Sequence, residues 1–557
     1  MPQNNTAGYP FGQNLSRLGS RAAGFFERIP LPALLCVIVL AFFLPALKNG
    51  FVDWDDVQYI LANQALRGSW LDALGFSPGY YHPLTTLTYK LEFSIFGTSP
   101  LSYHITNLVL HLINCASVFY LVAALGARRR VAFLAALLFG LHPVHVEPVA
   151  WASGRKELLW GFFSIWTLIF YLRYSGAGSR KHYACSLFMF LLAILSKPFA
   201  VVIPLLLPLA DLYRGRALNI RLFLEKVPYA ALALPLLTLS TGTPDFLLKS
   251  GGASVSAAGG ALAAAGNAAF YAQRLLLPVN LSALYPPAGL TGNAPGILML
   301  LLAAAGAARS LRKPELPASA SSGPGLGRTA LFGLGFFLTT LIPALLVSPP
   351  ADRYDYLPSL GLFLIYGELV SRGYDAARSL RSGYAIFLGR AVPFALAAHL
   401  LVLGFISAAR IPVWKDSLSL WEDVLRKYPL EYVAYYGRGN AHRAAGEHDK
   451  ALLDLTRCLE LAPTYWKAYN NRGRLFADRG DYDKAITDYG KAISLKPDDP
   501  RLLLNRGNAY FLKGDAALAQ RDYNRALAIA PHFAPALENN RRAAGAPRPA
   551  LKKNKGG

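Results

Sequence analysis

The residues best suited to chemistry form a run of carboxylates. Asp53, Asp55 and Asp56 fall within one short stretch, Asn49-Gly50-Phe51-Val52-Asp53-Trp54-Asp55-Asp56, directly after an uncharged run from Ile29 to Leu47. That run is long enough to cross a bilayer. Carboxylates crowded at the end of a membrane helix repel one another, so one of them should hold a raised pKa or meet a cation. Lys197, Arg353, Arg155 and Lys156 stand near the ends of other apolar runs, and Glu147 adds a further carboxylate. Such a set suits transfer from a phosphate-linked lipid donor. The cations hold the leaving phosphate, and a carboxylate takes the proton of a poorly nucleophilic hydroxyl. The plainer reading of the same stretch is a hydrated acidic loop.

Other polar groups sit where a membrane protein rarely places them. His104, Asn107, His111 and Asn114 are spaced by three, four and three, which puts all four on one helical face. Such a face looks into a cavity, or it supplies hydrogen bonds between helices. His82 precedes Pro83 after a tyrosine pair, and Asp352, Arg353 and Tyr354 follow the apolar run 329–347. The run 131–141 ends in His142-Pro143-Val144-His145-Val146-Glu147-Pro148. Its prolines make a regular helix improbable, and irregular backbone at membrane depth belongs inside protein or beside a cavity. His142, His145 and Glu147 also form an alternative divalent-metal set, but three ligands between prolines are a weak metal signal. No cofactor is firmly implied.

Composition says what must position these groups. The 557 residues are 54% hydrophobic and 16% charged, with apolar runs recurring from about residue 30 to about residue 410. That pattern is polytopic and all-α. The net charge of +23 does not point to nucleic acid, because much of the excess lies in short loops and in the two tails. The four cysteines show no CxxC spacing, so neither a disulfide framework nor a zinc site is implied.

Charge asymmetry of the loops gives about eleven crossings. Residues 1–29 form a cytoplasmic tail, and residues 30–412 form the membrane domain. Within it, residues 182–212 make a hairpin with Lys197 at its outer tip, and the Ala-rich stretch 242–294 stays outside. The carboxylates, His82 and Arg353 then share the external face with everything after residue 412. There Pro429, Pro463, Pro497 and Pro531 recur every 34 residues, as do Gly439, Gly473 and Gly507. This is the tetratricopeptide pattern. It covers residues 413–543 as three full repeats with a leading half, and residues 544–557 read as a basic disordered tail. Asn440, Arg474 and Asn508 occupy matching positions on the first helix of each repeat, the helix that lines the concave face of such solenoids. They are the candidates for binding an acceptor peptide or a partner.

The acidic first loop, the span YHITNLVLHLIN, the stretch LHPVHVEPVAWASGRKELL and the segment ADRYDYLPSLG together resemble the transmembrane-and-tetratricopeptide protein O-mannosyltransferases. Their order, membrane domain then repeats, is the same over about residues 45 to 540. The resemblance implies a GT-C helical bundle and a polyprenyl- or dolichyl-phosphate mannose donor. It places the catalytic base in the pair Asp55 and Asp56 and Arg353 near the donor phosphate. His82 departs from the family, whose members often have arginine before this proline. The Ala-rich, compact chain suggests a bacterial inner-membrane protein with its repeats in the periplasm. A non-catalytic membrane scaffold, and an enzyme acting on a glycan or lipid acceptor, are the alternatives.

Overall fold

The computed structural model describes residues 30–75, 81–216, 219–241, 257–286, 293–312, 325–345, 350–379 and 383–545. The expected N-terminal tail, Tyr80 and the end of the basic tail lie outside the described residues. The chain divides into two compact units. The first comprises the chain up to Phe51 together with Asp55–Lys415; the second comprises Val52–Trp54 and everything from Asp416 on. Val52–Trp54 lies far from Asp416 in sequence, yet it belongs with the second unit.

The first unit is a helical bundle without a strand among the described residues. Its helices are α1 (Leu31–Phe43), α2 (Pro83–Phe96), α3 (Pro100–Ala124), α4 (Arg129–Leu141), α5 (Val146–Ala150), α6 (Arg155–Ala177), α7 (Arg180–Ser196) and α8 (Ile203–Tyr213). They continue as α9 (Ile220–Leu224), α10 (Val227–Thr241), α11 (Ala257–Leu276), α12 (Ala294–Arg312), α13 (Leu326–Leu345), α14 (Ser359–Ser379) and α15 (Gly383–Arg410). Four described segments are by themselves long and apolar enough to cross a membrane, or five if the bent pair formed by α4 and Pro143–Ala150 counts as one. The others are shorter, or carry charges such as Arg173 in α6 and Glu368 in α14. Part of the Ala-rich stretch expected as an external loop is the regular helix α11, packed against α12.

Helix α3 is turned inside out relative to a helix in water. Its polar face, His104, Asn107, His111 and Asn114, is buried, whereas Leu101, Ile105, Val109, Ile113 and Tyr120 are exposed. Only a lipid surround makes that arrangement favourable, since polar groups seek partners inside and apolar groups face hydrocarbon. The chain is a membrane protein. After α4 the backbone bends by 54°, where Pro143 and Pro148 remove helix donors. Gly154 lets the next turn close over Pro148, whose backbone a Cβ at Gly154 would strike. Farther along, α13 and α14 meet at Gly333 and Gly361, and a Cβ on either would run into the backbone carbonyl of the other.

The second unit is a stack of paired helices: α16 (Ser417–Lys427), α17 (Tyr432–Ala444), α18 (His448–Leu461), α19 (Trp466–Asp478), α20 (Tyr482–Leu495), α21 (Pro500–Lys513), α22 (Ala516–Ile529) and α23 (Ala534–Gly545). The small residues of the 34-residue pattern sit where rings pack: a Cβ at Gly473 would touch Tyr489 at 3.1 Å. Each repeat also carries an arginine fork on a buried aspartate, Arg438 on Asp454, Arg472 on Asp488 and Arg506 on Asp522, with N–O distances of 2.7–2.8 Å. The last described helix runs to Gly545, so Ala544 and Gly545, expected in the tail, are helical.

Candidate functional site

The bent region between α4 and α6 is the platform on which the candidate groups meet. Asp56 is fully buried, and its carboxylate accepts from the backbone N–H of Ser153 at 2.9 Å and from its hydroxyl at 2.5 Å. Asp55, one residue earlier, remains partly exposed and accepts from Lys156 Nζ at 3.1 Å. The two neighbours therefore diverge: one anchors the loop to the turn before α6, and the other presents a carboxylate beside a cation. Lys156 also lies over the rings of Tyr59 at 4.8 Å and Trp151 at 5.3 Å.

Arg353 comes from the short turn Asp352–Asp355 between α13 and α14. Glu147 on α5 holds it twice, accepting from the guanidinium at 2.6 Å and from the Arg353 backbone N–H at 3.1 Å. The guanidinium plane lies over Tyr354 and Trp151. Lys197, between α7 and α8, donates to both oxygens of Glu157 at 2.6 and 2.7 Å, with Phe199 and Tyr354 rings beside the ammonium. Asp55 is close enough to Arg353 to interact with it, and Lys156 and Arg353 both act on Lys197. His82 completes the group. Burial, then Lys156, hold its pKa down at about 4, so the ring is neutral near pH 7. Asp55, His82, Lys156, Lys197, Arg353 and Tyr354 thus share one electrostatic neighbourhood, in which Asp55, Glu157 and Glu147 pair with the three cations and aromatic rings form the walls.

Other candidates are placed elsewhere. Asp53 sits in the second unit, where its backbone N–H donates to Ser417 Oγ at 2.7 Å and burial raises its pKa against the pull of Arg443. Arg155 is completely buried and paired with Glu92. It donates to Asn107 at 3.0 Å and to the Tyr103 carbonyl at 3.1 Å, with its guanidinium over Tyr89. Asp352 accepts from Tyr285 at 2.6 Å.

The polar face of α3 serves as interhelical hydrogen bonding. His104 meets the Gly50 carbonyl at 3.2 Å, and Asn107 donates to Trp151 O at 2.9 Å. His111 lies between Tyr356 Oη and the Gly140 carbonyl, and Asn114 donates to Leu158 O. The alternative metal set does not assemble. His142 reaches the Leu275 carbonyl, His145 the Phe139 carbonyl and Ser359, and Glu147 is taken by Arg353. No group of three metal-type ligands gathers among the described residues.

In the repeats, the amide oxygens of Asn440 and Asn508 accept from Asn471 at 2.7 Å and Asn539 at 2.8 Å, one repeat further on. Arg474 is exposed.

Several participants lay outside the sequence reading. Glu92 and Lys90 are buried charges on the half-apolar α2. Lys90 donates to three loop carbonyls, Ala65, Leu66 and Gly68, which fixes the loop behind the acidic stretch. Charges on a helix otherwise suited to lipid were the available signal for both. Glu157 had a weaker signal, as the third member of the Arg155-Lys156-Glu157 triplet.

The fold and site define a membrane bundle followed in the chain by a repeat array. Tetratricopeptide-repeat family models match residues 432–465, 455–487 and 500–533, and a TPR-repeat model matches residues 473–514. The chain is similar to "Protein O-mannosyl-transferase TMTC3" of Mus musculus, with 33% identity over 156 residues, 26% of this chain and 17% of the relative. It is also similar to "Protein O-mannosyl-transferase Tmtc2" of Drosophila melanogaster, with 30% identity over 200 residues, 32% of this chain and 21% of the relative. The matches span about a fifth of the length of these curated relatives. Among solved structures, the crystal structure of MamA is 29% identical and covers 24% of this chain and 78% of its own, with a TM-score of 0.21. The first TPR of Spaghetti (RPAP3) bound to an HSP90 peptide is 22% identical and covers 20% and 90%, with a TM-score of 0.20. The likeness implied by the sequence motifs is therefore found, and the tetratricopeptide repeats are present.

Proposed function

We propose that this protein is a membrane glycosyltransferase that moves a hexose, mannose by family likeness, from a polyprenyl-phosphate donor to a protein hydroxyl on the external face. The observation that carries the reading is the partly exposed Asp55 carboxylate, set beside Lys156 and near Arg353, with Lys197 next to both cations. Asp55 takes the proton of the acceptor hydroxyl as its oxygen attacks the anomeric carbon. The carbon–oxygen bond to the phosphate breaks, and the cations receive the polyprenyl phosphate. Asp56, held by Ser153, keeps the loop in register. Neutral His82 adds no charge to the site at pH 7. The relatives' names speak for O-mannosyl transfer, and the external face follows from the charge asymmetry of the loops. The eleven-span topology, the bacterial inner membrane and the periplasmic placing of the repeats belong to the same proposal. Reporter fusions at Pro350 and Gly446 should read external, and one at Lys313 cytoplasmic. The repeats engage the acceptor protein or a partner through Arg474 and its neighbours.

The test is transfer by the purified chain from a polyprenyl-phosphate mannose to a protein acceptor, followed by mass spectrometry. Asn nearly matches Asp in shape but cannot take the proton, so Asp55→Asn should bind donor yet lose about 10²–10⁴-fold in rate. Near-full activity of that variant would move the base elsewhere. Donor binding without transfer to any hydroxyl, in the unaltered protein, would favour the scaffold reading. A parallel arm with EDTA asks whether a divalent ion takes part.

A further inference from the structure

The basic end of the bundle carries a cavity away from the candidate site. Arg128 pairs with Asp375 at 2.5 Å, Arg130 donates to Ser371 at 2.7 Å, and Arg214 donates to the Leu172 carbonyl at 2.8 Å. These contacts tie the start of α4 to the end of α14, and the turn after α8 to α6. Between the last turns of α3 and α6, the first turn of α7 and the turn after α8 opens a cavity of about 460 Å³. It lies about 25 Å along α6 from Lys156, since α-helices rise about 1.5 Å per residue.

Arg173, Arg214 and His182 supply its polar lining; Tyr120, Ile169 and Leu172 supply apolar wall. Among the described residues, no carboxylate lines it. The nearby carboxylates of Asp211 and Glu225 are engaged by Arg216 and Lys226. His182 stacks on Phe170, and its Nδ1 is buried without a hydrogen-bond partner. From this cavity the exposed apolar stripe Ile113, Val109, Ile105 and Leu101 leads up the outside of α3.

Two guanidinium groups and an imidazole at the head of a lipid-facing apolar stripe match one ligand shape, a phosphate with an acyl chain attached. Basic pockets between membrane helices on the cytoplasmic side recognise anionic headgroups in this way. We propose that the cavity binds the phosphodiester of an anionic phospholipid of the cytoplasmic leaflet, with one acyl chain along α3. The proposal rests on the membrane reading and its orientation, not on the transfer chemistry.

Native mass spectrometry of the full chain in mild detergent, titrated with phosphatidylglycerol and phosphatidylcholine of equal chain length, tests it. Phosphatidylglycerol should be retained in preference, and Arg173→Gln should weaken it about fivefold, since each cation near a lipid phosphate is worth roughly 1 kcal/mol. The Arg173→Gln/Arg214→Gln double variant should weaken it further. Equal retention of the two lipids, or unchanged binding in the variants, overturns the site. Displacement by millimolar inorganic phosphate would assign it to a soluble anion, and preference for polyprenyl phosphate would assign it to the donor pathway; either overturns the phospholipid. If the variants fail to fold, a diazirine-bearing phosphatidylglycerol should label α3 and α6 of the unaltered protein, and labelling confined to other helices counts against the proposal. Transfer by Arg173→Gln, measured beside binding, should stay near the unaltered rate, so loss of lipid and loss of catalysis are read separately.

Discussion

The ion pairs of the two units are organised on opposite principles. In the repeats, one kind of buried-aspartate pair joins residues 16 apart and recurs three times, from Arg438–Asp454 to Arg506–Asp522. In the bundle, Arg353–Glu147 joins residues 206 apart, Lys197–Glu157 joins residues 40 apart, and each pair occurs once. A solenoid contacts only its neighbours, so its interactions are written into the chain as a period. A bundle brings distant segments together, and its sequence records only that charges exist.

The comparison can be broken most decisively at Arg155. Removing one partner of a buried pair leaves an uncompensated charge, at a cost of about 3–5 kcal/mol. Arg155→Met should therefore sharply lower the unfolding temperature in detergent by stranding Glu92; an unchanged Tm would mean that Glu92 needs no partner.

A second test uses His82. Its folded pKa, at about 4, lies below the ordinary value of 6.5. The unfolded chain therefore takes the proton first, and stability present above pH 6.5 is lost as pH falls toward 4. Stability against pH should slope over that window, and His82→Gln should flatten it.

Arg472→Met in the repeats should cost less, about 1 kcal/mol, because its pair with Asp488 is partly solvated. Hydrogen exchange of α19 and α20 in the full chain should quicken locally. A global loss as large as that of Arg155→Met would erase the contrast between the units.

The smallest effect is expected at Asp53, whose pKa is raised by burial. A carboxylate that is penalised when charged favours folding below its ordinary pKa and loses that contribution as pH rises through the raised value. Asp53→Asn should slightly raise Tm at neutral pH and leave it unchanged in acid.

These contrasts also explain what was legible beforehand. The repeats, their small residues and the α3 face follow from period and spacing, which local geometry dictates. The neighbourhood of Asp55, Lys156, Lys197 and Arg353 was legible as residue types at the ends of apolar runs. Which of them touch was not, because side-chain pairing across hundreds of residues leaves no spacing to read. Arg155 and Lys156 show the limit, adjacent in sequence yet turned to Glu92 and Asp55. Asp53 and Asp55 show it again, two residues apart and in different units. The Arg–Asp forks of the repeats share the 34-residue period of the glycines and prolines, and could have been found by the same count.

The close approach of α13 and α14 at Gly333 and Gly361 bears on inheritance. Every single-nucleotide missense change in a glycine codon adds at least a β-carbon, and neither position has room for one. These two helices hold the turn that carries Arg353. Both codons are therefore points where any amino-acid replacement reaches the site without altering a residue in it, and a variant found there in a natural population should come with a compensating change across the pair.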